Sequence, residues 1–388
     1  MDCLDRIDTP AALEQDATVY IAFELSKKTW KLGIVMSAAA RLSRYTVAGG
    51  DTAAVAARIA AATAKAARGG RPVRVISLYE AGYDGFWLHR WLAAQGVVNY
   101  VVDPASIQVN RRARRAKTDR LDLEQLMRAL LAYCRGEPRA CSMARVPSVA
   151  EEDARRRSRE RARLITERGA HVNRIKALLH GQGVRDSQPL RAGFVASLAQ
   201  RRTGDGHGLP PALVAEIMRE HVRLCLIIEQ IAAVEAESRA VEAVATAGTP
   251  AAKIMQLAQL VGIGATSARL LVNEVFYRQF NNRRELGGYF GLTGTPFDSG
   301  ASRHEQGIGK SGNPRARTVA IELAWLWLRH QPDSALSCWF HNRVGMLKGG
   351  VRKTAVVALA RKLMVALWRF LENGLVPSGA RLRAAAQG

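Results

Sequence analysis

Three strand-type runs open this chain before any helix does, and no other feature restricts its fold more. Residues 18–50 hold TVYIAFELSKKTWKLGIVM and then RLSRYTVAGG, in which apolar and polar residues alternate at the period of a strand. DTAAVAARIAAATAKAARGG predicts an alanine-rich helix ended by Gly69 and Gly70. PVRVISLYEAG reads as a buried strand. DGFWLHRWLAAQGV reads as a helix with Phe86, Trp87, Trp91 and Leu92 mostly on one side. NYVVDPAS is a short strand, and TDRLDLEQLMRALLAYCRG a helix capped by Thr118 or Asp119.

The order β-β-β-α-β-α-β-α predicts an α/β domain over residues 18–146, a mixed sheet with helices. That is the element order of a ribonuclease H-like fold. The rest of the chain reads as all-α. Residues 149–184 form one long, very basic helix, EEDARRRSRERARLITERGAHVNRIKALLHGQG, and residues 185–210 are irregular. A second long helix covers about 211–246. Ile217, Leu224, Ile227, Ile231, Val234 and Val241 fall on a/d heptad positions there, while Glu220 and Ser238 break the pattern. The pair suits an antiparallel hairpin, a dimer seam or an ordinary bundle, so residues 147–248 are expected as a long-helix region.

A third region is expected over 249–375. IMQLAQLVGIGATSARLLVNEV looks like a helix-hairpin-helix, whose turn amides commonly hold a phosphate, although a plain helical turn fits the same letters. LGGYFGLTGTPFDSGASRHEQGIGKSGNPRAR reads as a Gly-rich loop. The Trp and Leu residues of the closing helices, IELAWLWLRH and VRKTAVVALARKLMVALWRFLENG, are expected in the core.

Charge narrows the partners. The 388 residues carry a formal net charge of +23, which favours a polyanion, most commonly nucleic acid. A membrane span needs a long uncharged apolar run, and none is present. Five unevenly spaced cysteines read as reduced cytosolic thiols rather than a disulfide or zinc framework. Aromatic content of 6% argues against a surface built mainly on base stacking.

Against that basic background, four acids stand out. RRARRAKTDRLD runs Arg111, Arg112, Arg114, Arg115, Lys117 and Arg120 into Asp119 and Asp122, which share one helix face. Glu24 follows VYIAF and Glu80 follows RVISLY, each interrupting an apolar run where a lone carboxylate is costly. Singly they have ordinary readings: Glu80 as a solvated strand end, Asp119 as a helix cap. Jointly, if the two strand ends are neighbours and the helix crosses them, four carboxylates converge. Like charges so close repel, and a divalent metal resolves the conflict. Mg²⁺ takes hard oxygens, and two ions roughly 4 Å apart clamp both oxygens of a phosphoryl transfer. The basic run would then hold the nucleic-acid backbone.

IAFELSKKTW, SLYEAGYDG, AKTDRLD and GLTGTPFDSG followed by GIGKSGNPRAR resemble the insertion sequence 110 family of transposases, which includes the pilin-gene invertase and the bridge-RNA-guided recombinases. The resemblance spans about residues 18–375. It implies a RuvC-like DEDD domain with Glu24, Glu80, Asp119 and Asp122 as metal-binding catalytic acids, and a C-terminal transposase domain with Ser299 as nucleophile. It also implies Mg²⁺ or Mn²⁺, a structured noncoding guide RNA beside element-end and target DNA, and dimers assembling to tetramers. It further implies a cytoplasmic, prokaryotic and nucleoid-associated setting. At the end of the first strand the family usually has Asp, and this chain has Glu24, one methylene longer.

Without the family, Ser299, Ser302 and Ser311 are equivalent candidates, and any of them needs activation to attack a phosphate. His304 and Glu305 lie in the same segment, but sequence does not assign either as a base. Lys310, Arg315 and Arg317 flank Pro314 at a helix start, a natural phosphate site. Two rival functions fit the letters. One is a RuvC-type metal nuclease or junction resolvase in which Ser299 is structural; the other is a non-catalytic nucleic-acid-binding remnant.

Overall fold

The computed structural model describes residues 17–36, 41–107, 119–137, 140–299, 302–345 and 349–383. It divides into two compact units, Met1–Pro147 and Ser148–Gly388.

In the first unit, Ala17–Leu25 (β1), Thr29–Val35 (β2) and Ser43–Ala48 (β3) precede the helix Thr52–Ala66 (α1). Val73–Glu80 (β4), Trp87–Ala94 (α2), Val98–Val102 (β5) and Asp119–Cys134 (α3) follow. The sheet order is β3-β2-β1-β4-β5. β1 pairs antiparallel with β2 and parallel with β4, and β4 is parallel to β5. This is the expected mixed α/β sheet.

YIAF and VISLY are near-continuous apolar runs because both faces of the sheet are covered. Val19, Ile21, Phe23, Val75 and Tyr79 pack with Val55 of α1 and with Leu88 and Leu92 of α2. Ala22, Ile76 and Leu78 pack with Leu123, Leu126, Met127 and Leu130 of α3. The two-residue period therefore sends alternate side chains to different helices. Trp87, expected on an apolar helix face, stands well out of the core with its ring 5.7 Å from that of the buried Trp30.

The second unit opens on Val149–His180 (α4). Its start is a reciprocal cap: Glu151 N donates to Ser148 Oγ (3.1 Å), and Ser148 N donates to the Glu151 carboxylate (2.8 Å). After the short turn Phe194–Ser197 (α5), Pro211–Ala243 (α6) returns against α4. Arg161 pairs with Glu235 (2.6 Å), His171 with Glu220 (2.6 Å) and Arg174 with Glu216 (2.8 Å), so the two run antiparallel. The apolar seam is thus consumed within one chain.

Two positions differ from the heptad expectation. Ser238 is 3% exposed, its hydroxyl donating to Val234 O (2.8 Å), whereas Val241 is 46% exposed. Backbonding satisfies the hydroxyl and lets a polar residue occupy the seam. Glu220, the other apparent break, lies at the seam edge between His171 and Arg223.

The basic run of α4 is partly architectural. Arg155 is buried, with Nε donating to Asn273 O (3.0 Å), and Arg159, Arg161 and Arg174 each hold an acid of their own unit. Four arginines of this helix are therefore engaged within their own unit.

Pro250–Ala258 (α7), Ala265–Leu271 (α8), Arg283–Tyr289 (α9), Pro314–His330 (α10), Ala335–Val344 (α11) and Gly350–Asn373 (α12) enclose one core. Trp327 fills it, but Trp325, expected inside, is 39% exposed. The Gly-rich segment is an antiparallel hairpin rather than a loop, made of Gly294–Ser299 (β6) and Ser302–Ile308 (β7). The four described cysteines are free, and no helix among the described residues is long and apolar enough to cross a membrane.

Candidate functional site

The parallel register of β1 and β4 ends on Phe23 opposite Tyr79, and Glu24 and Glu80 follow directly. Both have the parity of Ala22 and Leu78, the face covered by α3. They line one cavity of about 460 Å³ together with Asp122 and Gln125 of α3. The sheet thus supplies two carboxylates and the helix a third. Asp119 is the first residue of α3, but its side chain, like that of Arg120, lies outside the described residues. Residues 111–117, with Arg111, Arg112, Arg114, Arg115 and Lys117, lie wholly outside them.

α3 comes close to the sheet because β2 carries Gly33. A Cβ there would stand 2.9 Å from Leu42 Cδ1 and 3.2 Å from Leu123 Cγ. Gly33→Val is expected to push α3 outward, costing about 1–3 kcal/mol and drawing Asp122 away from the glutamates. Thermal melting and strand cleavage measured together check this; unchanged cleavage with a lowered melting temperature would mean that the α3 spacing does not matter to the site.

Sequence reasoning missed one wall of this cavity. Asp84, in the turn after β4, lines it with Lys27 and Tyr83, and burial raises its carboxyl above the ordinary range. The GYDG turn was the available signal. Tyr79 OH holds that turn through Gly85 O (2.9 Å), and Lys27 Nζ sits 4.8 Å from the centre of the Tyr83 ring. Among the described residues no three His, Cys, Asp or Glu side chains stand close enough to share an ion. The donors nevertheless fit Mg²⁺ or Mn²⁺ by chemistry, since all are hard carboxylate oxygens facing one space.

In the second unit, Ser299 ends β6 and pairs across the hairpin with Ser302. Side chains of residues 296–306, including Ser299, Ser302, His304 and Glu305, lie outside the described residues. The base of the hairpin is described in full. Gly309 N donates to Thr293 O (2.8 Å), and Asn313 N to Tyr289 O (2.7 Å). Asn313 caps α10 through Arg315 N and Ala316 N, and its amide also donates to Glu274 (3.3 Å). Arg317 Nη1 donates to Lys310 O (3.0 Å) and Phe290 O (3.4 Å), so part of its guanidinium is committed to backbone. Lys310 and Arg315 are exposed.

Gly312 passes so close to α9 that a Cβ would lie 2.1 Å from Tyr289 O and 2.4 Å from Gly291 N. Backbone cannot yield as a flexible side chain can. Gly312→Ala is expected to cost more than about 3 kcal/mol, beyond ordinary overpacking. A melting temperature equal to the parent's would show that this crossing is not fixed in solution.

A further missed residue is Glu274, 2% exposed within the π-helical turn Val272–Phe276. Arg159 donates Nε and Nη2 to its two oxygens (2.7 and 3.0 Å), and Tyr289 OH donates to its backbone carbonyl (2.7 Å). Burial alone would raise this carboxyl, but the Arg159 hydrogen bonds and charge, with Asn313 and Arg155, hold it below the ordinary value. One buried acid so joins α4, α9 and the start of α10 at the foot of the hairpin. A Glu inside the apolar run LLVNEVF was its only trace in sequence.

The family described as "Transposase IS116/IS110/IS902 family" matches residues 255–337, the stretch from α7 to the start of α11. A Sinorhizobium fredii protein, "Putative transposase y4rJ", is 48% identical over 98% of each chain. This chain belongs to the IS110/IS116 transposase family. The transposase for insertion sequence element IS1111A of Coxiella burnetii is 24% identical, covering 77% of this chain and 78% of its own. That for IS1328 of Yersinia enterocolitica is 26% identical over 56% and 62%. The match to the family places the β6–β7 hairpin and the Gly312 crossing inside the transposase's recognised region.

Proposed function

We propose that this transposase cuts and rejoins DNA through a covalent phosphoserine on Ser299, with Glu24, Glu80, Asp119 and Asp122 as its metal-binding acids on a ribonuclease H-like sheet. The observation that carries the reading is the shared cavity of Glu24, Glu80 and Asp122, gathered from β1, β4 and α3. The sheet order β3-β2-β1-β4-β5 supports the ribonuclease H-like assignment.

In this reading Ser299 Oγ attacks the phosphorus of a DNA phosphodiester. The bond to one deoxyribose oxygen breaks, and that oxygen leaves as a hydroxyl. The serine proton passes to water or a carboxylate. After strand exchange a DNA hydroxyl attacks the phosphoserine, which reforms a phosphodiester and frees Ser299. Glu24, Glu80, Asp119 and Asp122 would hold Mg²⁺ or Mn²⁺, which when bound would neutralise charge on the transferring phosphate. Arg111, Arg112, Arg114, Arg115, Lys117 and Arg120, with Lys310, Arg315 and Arg317, hold nucleic-acid backbone, positioning rather than specifying sequence. A noncoding guide RNA pairs with donor and target DNA, dimers assemble to tetramers, and the work is done in the cytoplasm at the nucleoid.

The test is adduct trapping. The transposase is incubated with element-end DNA, RNA from the flanking noncoding region and Mg²⁺, then denatured. Expected is DNA covalently attached to protein, absent in Ser299→Ala. Cleavage of equal extent in both proteins without an adduct would mean that the acidic cavity works alone as a metal nuclease.

A further inference from the structure

A cavity of about 690 Å³ opens in the second unit between α9, α11, α12 and the segment 375–378, apart from the hairpin and the acids. Its half-buried part is apolar: Leu336, Ala358, Val365 and Ala366, with the buried Pro377. Around these stand Arg283, Arg284, Arg361, Lys362 and Arg369. Among the described residues no carboxylate lines the cavity, and none of its four guanidiniums makes a hydrogen bond or ion pair. Arg361 is guided in rather than splayed on the surface. A Cβ on Gly287 of α9 would lie 2.9 Å from its Nε, so the guanidinium passes directly over that glycine. Lys362 is otherwise engaged, its Nζ 4.7 Å from the centre of the Trp339 ring.

Unpaired guanidiniums without a balancing acid call for a polyanion. A duplex backbone would meet the cations but offers nothing to an apolar floor, because its bases are stacked inside. A strand with unpaired bases offers both, phosphates outside and base faces within. We propose that this cavity is a single-strand nucleic-acid site, taking phosphates on Arg283, Arg284, Arg361 and Arg369 and an unpaired base against Leu336, Ala358 and Ala366. It rests on the transposase reading only in that the polyanion is nucleic acid; it needs neither Ser299 nor the acids. DNA and RNA share the chemistry invoked.

Fluorescence anisotropy with the full chain tests it, using a labelled oligothymidylate, an oligouridylate, an abasic-spacer strand of the same phosphate count and a blunt duplex. Expected is binding of the base-containing strands about tenfold tighter than the abasic strand. Arg361→Ala with Arg369→Ala should weaken every strand and flatten the salt slope of single-strand binding by about 1.4, two phosphate contacts fewer. Ala366→Leu, which fills the floor and keeps every cation, should abolish the base preference and leave the slope intact. Should that variant fail to fold by circular dichroism, Ala358→Leu fills the same floor. The ranking of thymidylate against uridylate assigns the strand to DNA or RNA. Equal affinity of wild type for abasic and base-containing strands, a preference for duplex, or equal binding of a polyglutamate chain each overturns the proposal. Loss of the adduct in Ser299→Ala with base preference intact separates this site from the nucleophile, since each then stands on its own readout.

Discussion

Asp122→Asn is expected to lower strand cleavage at least about hundredfold, the scale seen when one group stabilising transition-state charge is removed. The substitution is nearly isosteric at a half-buried helix position, so the melting temperature should move by no more than about 2 °C. Asp122 shares its cavity with Glu24 and Glu80, and in the proposed mechanism each carboxylate supplies charge to one shared cation. Neutralising one therefore removes a ligand rather than a contact. Two comparisons sharpen the test. Glu24→Asp keeps the charge, shortens the side chain by one methylene and should stay within about tenfold of the parent. Asp84→Asn, on the cavity wall but outside the four proposed metal-binding acids, should cost less than Asp122→Asn. Cleavage by Asp122→Asn within twofold of the parent would remove the acidic cavity from the chemistry altogether.

Arg159→Ala is expected to destabilise the second unit by about 3 kcal/mol or more, because it leaves Glu274 charged, buried and without its chief partner. For a unit of this size that is a fall of roughly 6–10 °C in melting temperature. The reverse substitution should be milder. Glu274→Gln leaves behind an arginine that is 48% exposed and that water can solvate, so about 1 kcal/mol is expected. Equal losses from the two would mean that the pair is not asymmetric as its burial indicates. The pH dependence has a definite sign. Glu274 has a folded-state value below its unfolded one, so its contribution is present above the unfolded value and is lost as pH falls through the folded one. The loss lies on the acid side of the ordinary glutamate range. In Arg159→Ala the largest remaining influence is burial, which favours the neutral form, so that acid-side loss should shrink. Melting curves taken across the acid range, parent against variant, read this directly.

What could be read from letters alone follows from how local each cause is. The apolar runs VYIAF and RVISLY are local, and they mark Glu24 and Glu80 as the ends of two strands; the parallel register and α3 then put both on one cavity with Asp122. The heptad run of α6 is equally local, yet Ser238 and Val241 exchange roles, because satisfying a hydroxyl and leaving the partner helix behind are events of packing. Gly312 sits in a stretch that reads as a Gly-rich loop, yet it is there as clearance for the carbonyl of Tyr289, a residue of another element. Glu274 and Arg159 are 115 positions apart, and no window along the chain contains both. Asp84 lay in plain view in GYDG, but its burial belongs to the cavity that Glu24 and Asp122 close over it.

The β6–β7 ribbon has only two strands, and neither outer edge has a strand neighbour among the described residues. A ribbon of that kind is marginal by itself in water. Glu274, Asn313 and Gly312 fasten its foot, while Ser299 and Ser302 stand at the far end beside the turn. In the proposed mechanism the nucleophile Ser299 is carried at the end of this ribbon far from its fastened foot, and DNA bound along the ribbon orders it. On that mechanism the rate of the first cut depends on how much DNA is held beyond the scissile bond. Shortening the flanking duplex should then depress the maximal rate of adduct formation, and not merely the concentration of DNA needed to reach it.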